Sequence, residues 1–169
     1  EVGTDDQNGY NVGWGHGPRS TPTIADGKVY VIGPKGLLVC LDAAEGSTVW
    51  SKNLVDDFGG KSGGWGFSES PLVDGDKVVI GPGGSDSPVV ALNKENGNTI
   101  WKASGFSVGG SKAEYATVVA LDLNGRRQYL RLFNDKLVSL DSVTGDLLWS
   151  TDWPGGQSPA VIPTPSADG

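Results

Sequence analysis

Few side chains in this chain can move a proton or attack a carbonyl near neutral pH. His16, between Gly15 and Gly17, is the one imidazole. Any Ser-His hydrolase site would have to use it as general base, with Ser20 or Ser68 as nucleophile. A solvent-exposed imidazole in a glycine loop is the plainer reading. Cys40 falls at an inward position of an alternating apolar stretch, where a thiol acts as a small hydrophobe. One Cys makes no intramolecular disulfide and one His no multi-histidine centre, so no metal site is expected. Asp5-Asp6-Gln7-Asn8-Gly9 and Asp122-Leu123-Asn124-Gly125 resemble the start of a calcium loop, but neither has Glu at the twelfth position, and turn chemistry accounts for both. Gly83-Gly84 and Gly109-Gly110 do not join a strand to a helix, which removes a phosphate cradle.

A second set of residues suits binding better than bond cleavage. His16, Arg19 and Ser20, then Trp65, Ser68 and Glu69, then Glu114 and Tyr115, each stand just before an apolar segment. Aligning those segments makes Ser20, Glu69 and Tyr115 equivalent. His16, Arg19, Trp65, Glu69 and Tyr115 are therefore the candidates for holding a small polar molecule or a peptide end. In the plainer alternative, Arg19 and Glu69 form an ion pair between units while Trp14 and Trp65 fill space. Net charge is −7 with a pI of about 4.5, which repels nucleic acid and anionic lipid. No apolar run reaches the roughly 18 residues of a membrane span, and Glu1-Val2-Gly3-Thr4 shows no signal-peptide pattern.

The elements that position these residues are read from a repeat. VCLDAAEGSTVW (39–50), VALNKENGNTIW (90–101) and VSLDSVTGDLLW (138–149) align without a gap. Each has an alternating strand, then Asp42, Asn93 or Asp141 to make an Asx turn, then Gly46, Gly97 or Gly145 for positive φ, then a strand reaching Trp50, Trp101 or Trp149. Upstream of each lies another hairpin, turning at Asp26-Gly27, Asp74-Gly75 or Asn124-Gly125. Two hairpins make four antiparallel strands per repeat of about 50 residues, the description of a β-propeller blade. No helix is expected, since no ten-residue stretch keeps a 3.6-residue apolar period. The 27 Gly and 10 Pro are thereby turn punctuation and not low complexity. The expected class is all-β. Residues 1–16 form a leading loop, blades occupy 17–55, 64–103 and 112–153, and 158–169 begin a fourth repeat, its TPSADG echoing TPTIADG at 21–27.

The Asp/Asn-x-x-x-Gly-x-x-x-Trp pattern at 42–50, 93–101 and 141–149 resembles the tryptophan-docking repeat of the quinoprotein, or pyrroloquinoline-quinone-like, β-propeller superfamily, over about 17–153. The usual Thr or Ser before the glycine is kept at Thr144 and replaced by Glu45 and Asn96. The resemblance implies that Trp50, Trp101 and Trp149 pack on the neighbouring blade, and that the protein works in the periplasm or outside the cell. Quinone-dependent alcohol dehydrogenases of that superfamily carry a vicinal disulfide, calcium and a catalytic Asp; other members have no cofactor and act as binding or assembly scaffolds. With Cys40 alone the vicinal pair is impossible. A non-catalytic scaffold without cofactor is expected, and a fragment of a dehydrogenase using pyrroloquinoline quinone and calcium, with Glu69 helping to hold them, is the alternative. Propellers close with about four to eight blades. Three blades and one strand are therefore an incomplete propeller, to be completed by further blades or by self-association.

Overall fold

In a computed structural model of the chain, residues 10, 11, 13, 17–109, 112–153 and 160–166 are described. Most of the leading loop, His16 and Trp14 included, lies outside them, as do 158, 159 and 167–169 of the expected fourth repeat. The described residues form three four-stranded antiparallel sheets in simple up-and-down order: β1 (Thr23–Ala25), β2 (Lys28–Ile32), β3 (Leu37–Asp42) and β4 (Thr48–Asn53); β5 (Leu72–Asp74), β6 (Lys77–Ile80), β7 (Val90–Asn93) and β8 (Thr99–Lys102); and β9 (Val119–Leu123), β10 (Arg126–Leu132), β11 (Lys136–Asp141) and β12 (Leu147–Asp152). β1 lies beside β5 and β5 beside β9, which makes these the innermost strands. Residues 160–166 form no strand. Val161 instead packs on Ala116 and Leu132, its carbonyl accepting from the Tyr115 N–H at 3.0 Å.

The outer hairpins follow the motif closely. Asp42 Oδ1 accepts from the N–H groups of Ala44 and Glu45, Asn93 Oδ1 from Glu95 and Asn96, and Asp141 Oδ1 from Val143 and Thr144. Gly46, Gly97 and Gly145 have φ of 68°, 73° and 78°, values that cost an L-residue about 1–2 kcal/mol. Asp26-Gly27 and Asn124-Gly125 turn with positive φ at both residues, which matches the strands' right-handed twist. In the middle sheet Asp74 still pairs with Lys77, so the turn is Gly75-Asp76, one residue later than expected, with positive φ at Gly75.

The expectation of no helix fails over one turn, α1 (Leu54–Phe58). Its five residues are too few to show a period. Its signals are instead at its ends, where Asn53 Oδ1 accepts from the Val55 and Asp56 N–H groups and Gly59 closes it at φ 62°. Leu54 and Phe58 face inward and join the core between the first two sheets.

Alternation along the strands divides the apolar side chains into two layers. Tyr30, Ile32, Leu38, Cys40 and Trp50 of the first sheet meet Val78, Ile80, Val90 and Leu92 of the second. Val79, Val89, Ala91 and Trp101 of the second meet Tyr129, Phe133, Val138 and Leu140 of the third. Each layer is sealed by an indole. The Trp50 Nε1–H donates to the Lys94 carbonyl at 2.9 Å, and the Trp101 Nε1–H to the Ser142 carbonyl at 3.3 Å. The rings lie so close to the next sheet's turn that a Cβ on Gly97 would sit 2.9 Å from Trp50, and one on Gly145 only 2.5 Å from Trp101.

Truncating a docked indole forfeits its packing and leaves a cavity. Trp101→Ala is expected to cost about 3–5 kcal/mol and Trp149→Ala, at protein concentrations too low for association, under about 1 kcal/mol. Gly145→Ala should cost about 1–3 kcal/mol more than Gly46→Ala, because only the former drives a methyl into a ring. Urea unfolding of the four variants checks both comparisons.

Candidate functional site

The strand register changes which residues are equivalent at the blades' inner ends. Thr23, Leu72 and Val119 occupy the same rung, lateral to Trp50, Trp101 and Trp149 respectively. Counting back three residues from each gives Ser20, Glu69 and Ala116, so Tyr115 is displaced by one from its expected match. Counting back four gives Arg19, Ser68 and Tyr115. These three line one cavity of about 430 Å³ with Trp65, Ala160 and Ile162, a volume within the usual range for small-ligand sites. The Thr164-Pro165 echo of Thr21-Pro22 puts Ile162 in a fourth equivalent place.

Arg19 and Tyr115 are held by backbone groups. Arg19 donates through Nη1 to the Trp65 carbonyl at 2.9 Å and through Nη2 to the Asn11 carbonyl at 3.0 Å, with its guanidinium 5.6 Å from the centre of the Tyr10 ring. The Tyr115 hydroxyl accepts from the Trp65 N–H at 3.3 Å, and the two rings meet edge to face at 5.8 Å. Burial raises the Tyr115 phenol above its ordinary value against the pull of that N–H, so it stays protonated at neutral pH. A Cβ on Gly63 would lie 2.0 Å from the Tyr115 hydroxyl, so glycine is required where the ring passes the chain. Trp65 Nε1 and Ser68 Oγ are buried without a hydrogen-bond partner, an uncommon state for such groups in a protein interior.

Glu69 does not join this cavity wall, and Arg19 is not its partner. Its side chain is 1 % exposed and ion-paired with Arg131, itself fully buried on β10. Its other oxygen accepts from the Gly81 N–H, and Arg131 also donates to the carbonyls of Ala116 and Glu114. The cause is the one-residue offset: the position before Leu72 that points between sheets belongs to Glu69, and the one that points to the mouth belongs to Ser68. Arg131 was hidden in the sequence because it sits within the strand YLRLF, with apolar residues on both sides. A further link joins the same two sheets, in which Asp74 takes both the Arg127 guanidinium at 2.8 Å and the Tyr129 hydroxyl at 2.9 Å.

The side chain expected to help hold calcium, Glu69, is occupied by an ion pair. Among the described residues no three His, Cys, Asp or Glu side chains are grouped to hold a metal ion. Glu69 is committed to Arg131, and Cys40 is buried and alone.

Three sheets of four strands, ranged around their first strands and sealed by tryptophans, are the blades of a β-propeller. The sequence matches the family model PQQ_2, described as "Outer membrane protein assembly factor BamB", over residues 3–161, and the chain belongs to this family. Among curated relatives, the assembly factor BamB of Moranella endobia is 28 % identical over 138 residues, 79 % of this chain and 34 % of that protein. BamB of Xanthomonas campestris is 36 % identical over 97 residues, 56 % and 23 % of the two chains. The quinoprotein ethanol dehydrogenase of Pseudomonas aeruginosa is 35 % identical over 88 residues, 51 % and 14 %. Among solved structures, BamB from Moraxella catarrhalis superposes with a TM-score of 0.57 at 24 % identity, covering 79 % of this chain and 36 % of that one. A europium-containing methanol dehydrogenase gives 0.55 at 16 % identity, covering 80 % and 32 %. The chain thus spans about a third or less of the length of these proteins. No helix among the described residues is long and apolar enough to cross a membrane.

The buried Glu69 carboxyl gives a signed pH dependence. Burial pushes it up from 4.5 to about 7, with Arg131 and the Gly81 N–H pulling the other way. The folded state then holds this proton more tightly than the unfolded chain does. The stability contributed is full below pH 4.5 and is lost as pH rises through about 7. Stability of the wild type relative to Glu69→Gln should therefore fall across that window and level off above it, as read by urea unfolding at a series of pH values.

Proposed function

We propose that this propeller segment is a non-catalytic binding or assembly scaffold, with a ligand seat at the mouth of the inner strands. The observation that carries this reading is that the Arg19 guanidinium and the Tyr115 hydroxyl at the mouth are tied to backbone groups. Arg19 and Tyr115 brace the Trp65 loop, and Glu69 and Arg131 tie two blades together. What faces the cavity is a wall of Trp65, Tyr115, Ala160 and Ile162 with Arg19 and Ser68 at its side. That wall suits an apolar side chain next to a polar terminus, as at the end of an extended peptide. The kinship with outer-membrane assembly factors supports the scaffold role and a place in the periplasm or outside the cell. Further blades of the same chain or a second copy complete the ring.

Titration with short hydrophobic peptides, followed by tryptophan fluorescence, tests the seat. A saturable change that disappears in Trp65→Phe and weakens in Tyr115→Ala is expected. No response to peptides, together with saturable quenching by pyrroloquinoline quinone and Ca²⁺, would replace the scaffold reading with the dehydrogenase one.

A further inference from the structure

Apart from the indole joint, two polar links cross from the second sheet to the third, at opposite ends of β5. At one end Asp74 takes the Arg127 guanidinium and the Tyr129 hydroxyl. At the other, Glu69 is ion-paired with Arg131, and the two side chains are 1 % and 0 % exposed. A buried pair of this kind adds little that apolar side chains could not, so stability alone is a poor reason for it. What Arg131 holds supplies a better one. Its guanidinium donates to the Ala116 carbonyl and, at 3.3 Å, to the Glu114 carbonyl, gripping the main chain on both sides of Tyr115. Tyr115 lines the mouth cavity, and its hydroxyl accepts from the Trp65 N–H. Glu69 directly follows Ser68, another residue of the same wall. Glu114 offers Arg131 a second carboxyl. It is 2 % exposed, with Oε1 4.0 Å from Lys112 Nζ, and both its Oε2 and the Nε of Arg131 are buried without a hydrogen-bond partner. Burial raises the Glu114 carboxyl above its ordinary value, and Lys112, Arg131 and Asp135 are the charged groups that act on it.

We propose that Glu69 and Arg131 are positioning residues for the mouth cavity: their ion pair fixes the main chain at Tyr115 and couples ligand binding there to the charge on Glu69. This coupling rests on the cavity's being the ligand seat. With Glu69 ionised, Arg131 stays on the two carbonyls that flank Tyr115. When Glu69 takes up a proton the guanidinium keeps its own charge, loses its counterion and turns toward Glu114. The main chain at Tyr115 shifts with it, and the ring loosens from Trp65. Ligand is therefore held more tightly when Glu69 is ionised, and by linkage a bound ligand drives the proton off Glu69.

An N-acetylated leucine tripeptide, which has no amine to titrate, is the probe, with tryptophan fluorescence giving its affinity at a series of pH values. Burial pushes the Glu69 carboxyl up from 4.5 to about 7, against the pull of Arg131 and the Gly81 N–H. Wild-type affinity should rise at least about fivefold from roughly pH 5 to roughly pH 8.5, the low end of a typical coupling between sites. Glu69→Gln should bind without that slope, which separates this carboxyl from Glu114 and from the His16 imidazole. Asp74→Asn, which cuts the other link between the same two sheets, should lose stability yet keep both affinity and slope. Calorimetry of the wild type in buffers of different ionisation enthalpy should show protons released on binding near neutral pH; it needs no variant and decides the matter if Glu69→Gln fails to fold. A slope that persists in Glu69→Gln, a slope lost in Asp74→Asn, a wild-type affinity independent of pH, or binding without proton release overturns the coupling and leaves the seat standing. No binding of the tripeptide at any pH overturns the seat itself, and the coupling with it.

Discussion

Everything in this fold depends on an indole lying flat on a glycine. A four-stranded sheet with two apolar faces is not stable alone in water, and the blades cover one another only if successive sheets approach at their outer edges. The Asx turn presents a left-handed residue and an outward carbonyl; with glycine there the ring comes within van der Waals contact and its N–H finds an acceptor. Any side chain at Gly97 or Gly145 would hold the sheets apart, and the apolar layers of Tyr30, Ile32 and Leu92 or of Val79, Tyr129 and Leu140 would open to water.

The same logic explains why the inner ends of the blades can be polar. With the sheets clamped at the outer edge and packed through the middle, the inner strands are joined by lighter links, such as the Thr21 N–H to Ser70 Oγ at 3.0 Å and the Ser70 N–H to Thr117 Oγ1 at 3.3 Å. The chain before each inner strand is then free to differ from blade to blade. Arg19, Ser68 and Tyr115 occupy one position in three blades with three chemistries, and the cavity takes its character from that divergence.

Much of this was legible in the sequence, and the reason is locality. Asp42, Gly46 and Trp50 act within nine residues of one another, so their spacing reports their geometry directly, and the strand pairs and turns follow. The partnership of Glu69 with Arg131 spans 62 residues, and no local pattern marks it. Local spacing places the mouth one residue out because the third repeat lacks the Ser/Thr-Pro marker, and its first hairpin is longer, with β10 running seven residues where β2 runs five. Gly75-Asp76 shows the same limit on a smaller scale: Asp-Gly-Asp permits two turns, and the pairing of Asp74 with Lys77 selects one. The helix α1 was invisible to periodicity and would have been found from its caps, Asn53 and Gly59.

The direction of the joint also has a consequence for how such chains grow. The indole always belongs to the earlier repeat and its glycine seat to the later one, so the unit that carries both is a single stretch of sequence. Copying that stretch in tandem creates a correct new contact at each boundary without altering any existing one. Blade number can therefore change by whole duplications while the chemistry between neighbours stays constant. Selection can then act on the short segments ahead of the inner strands, one repeat at a time.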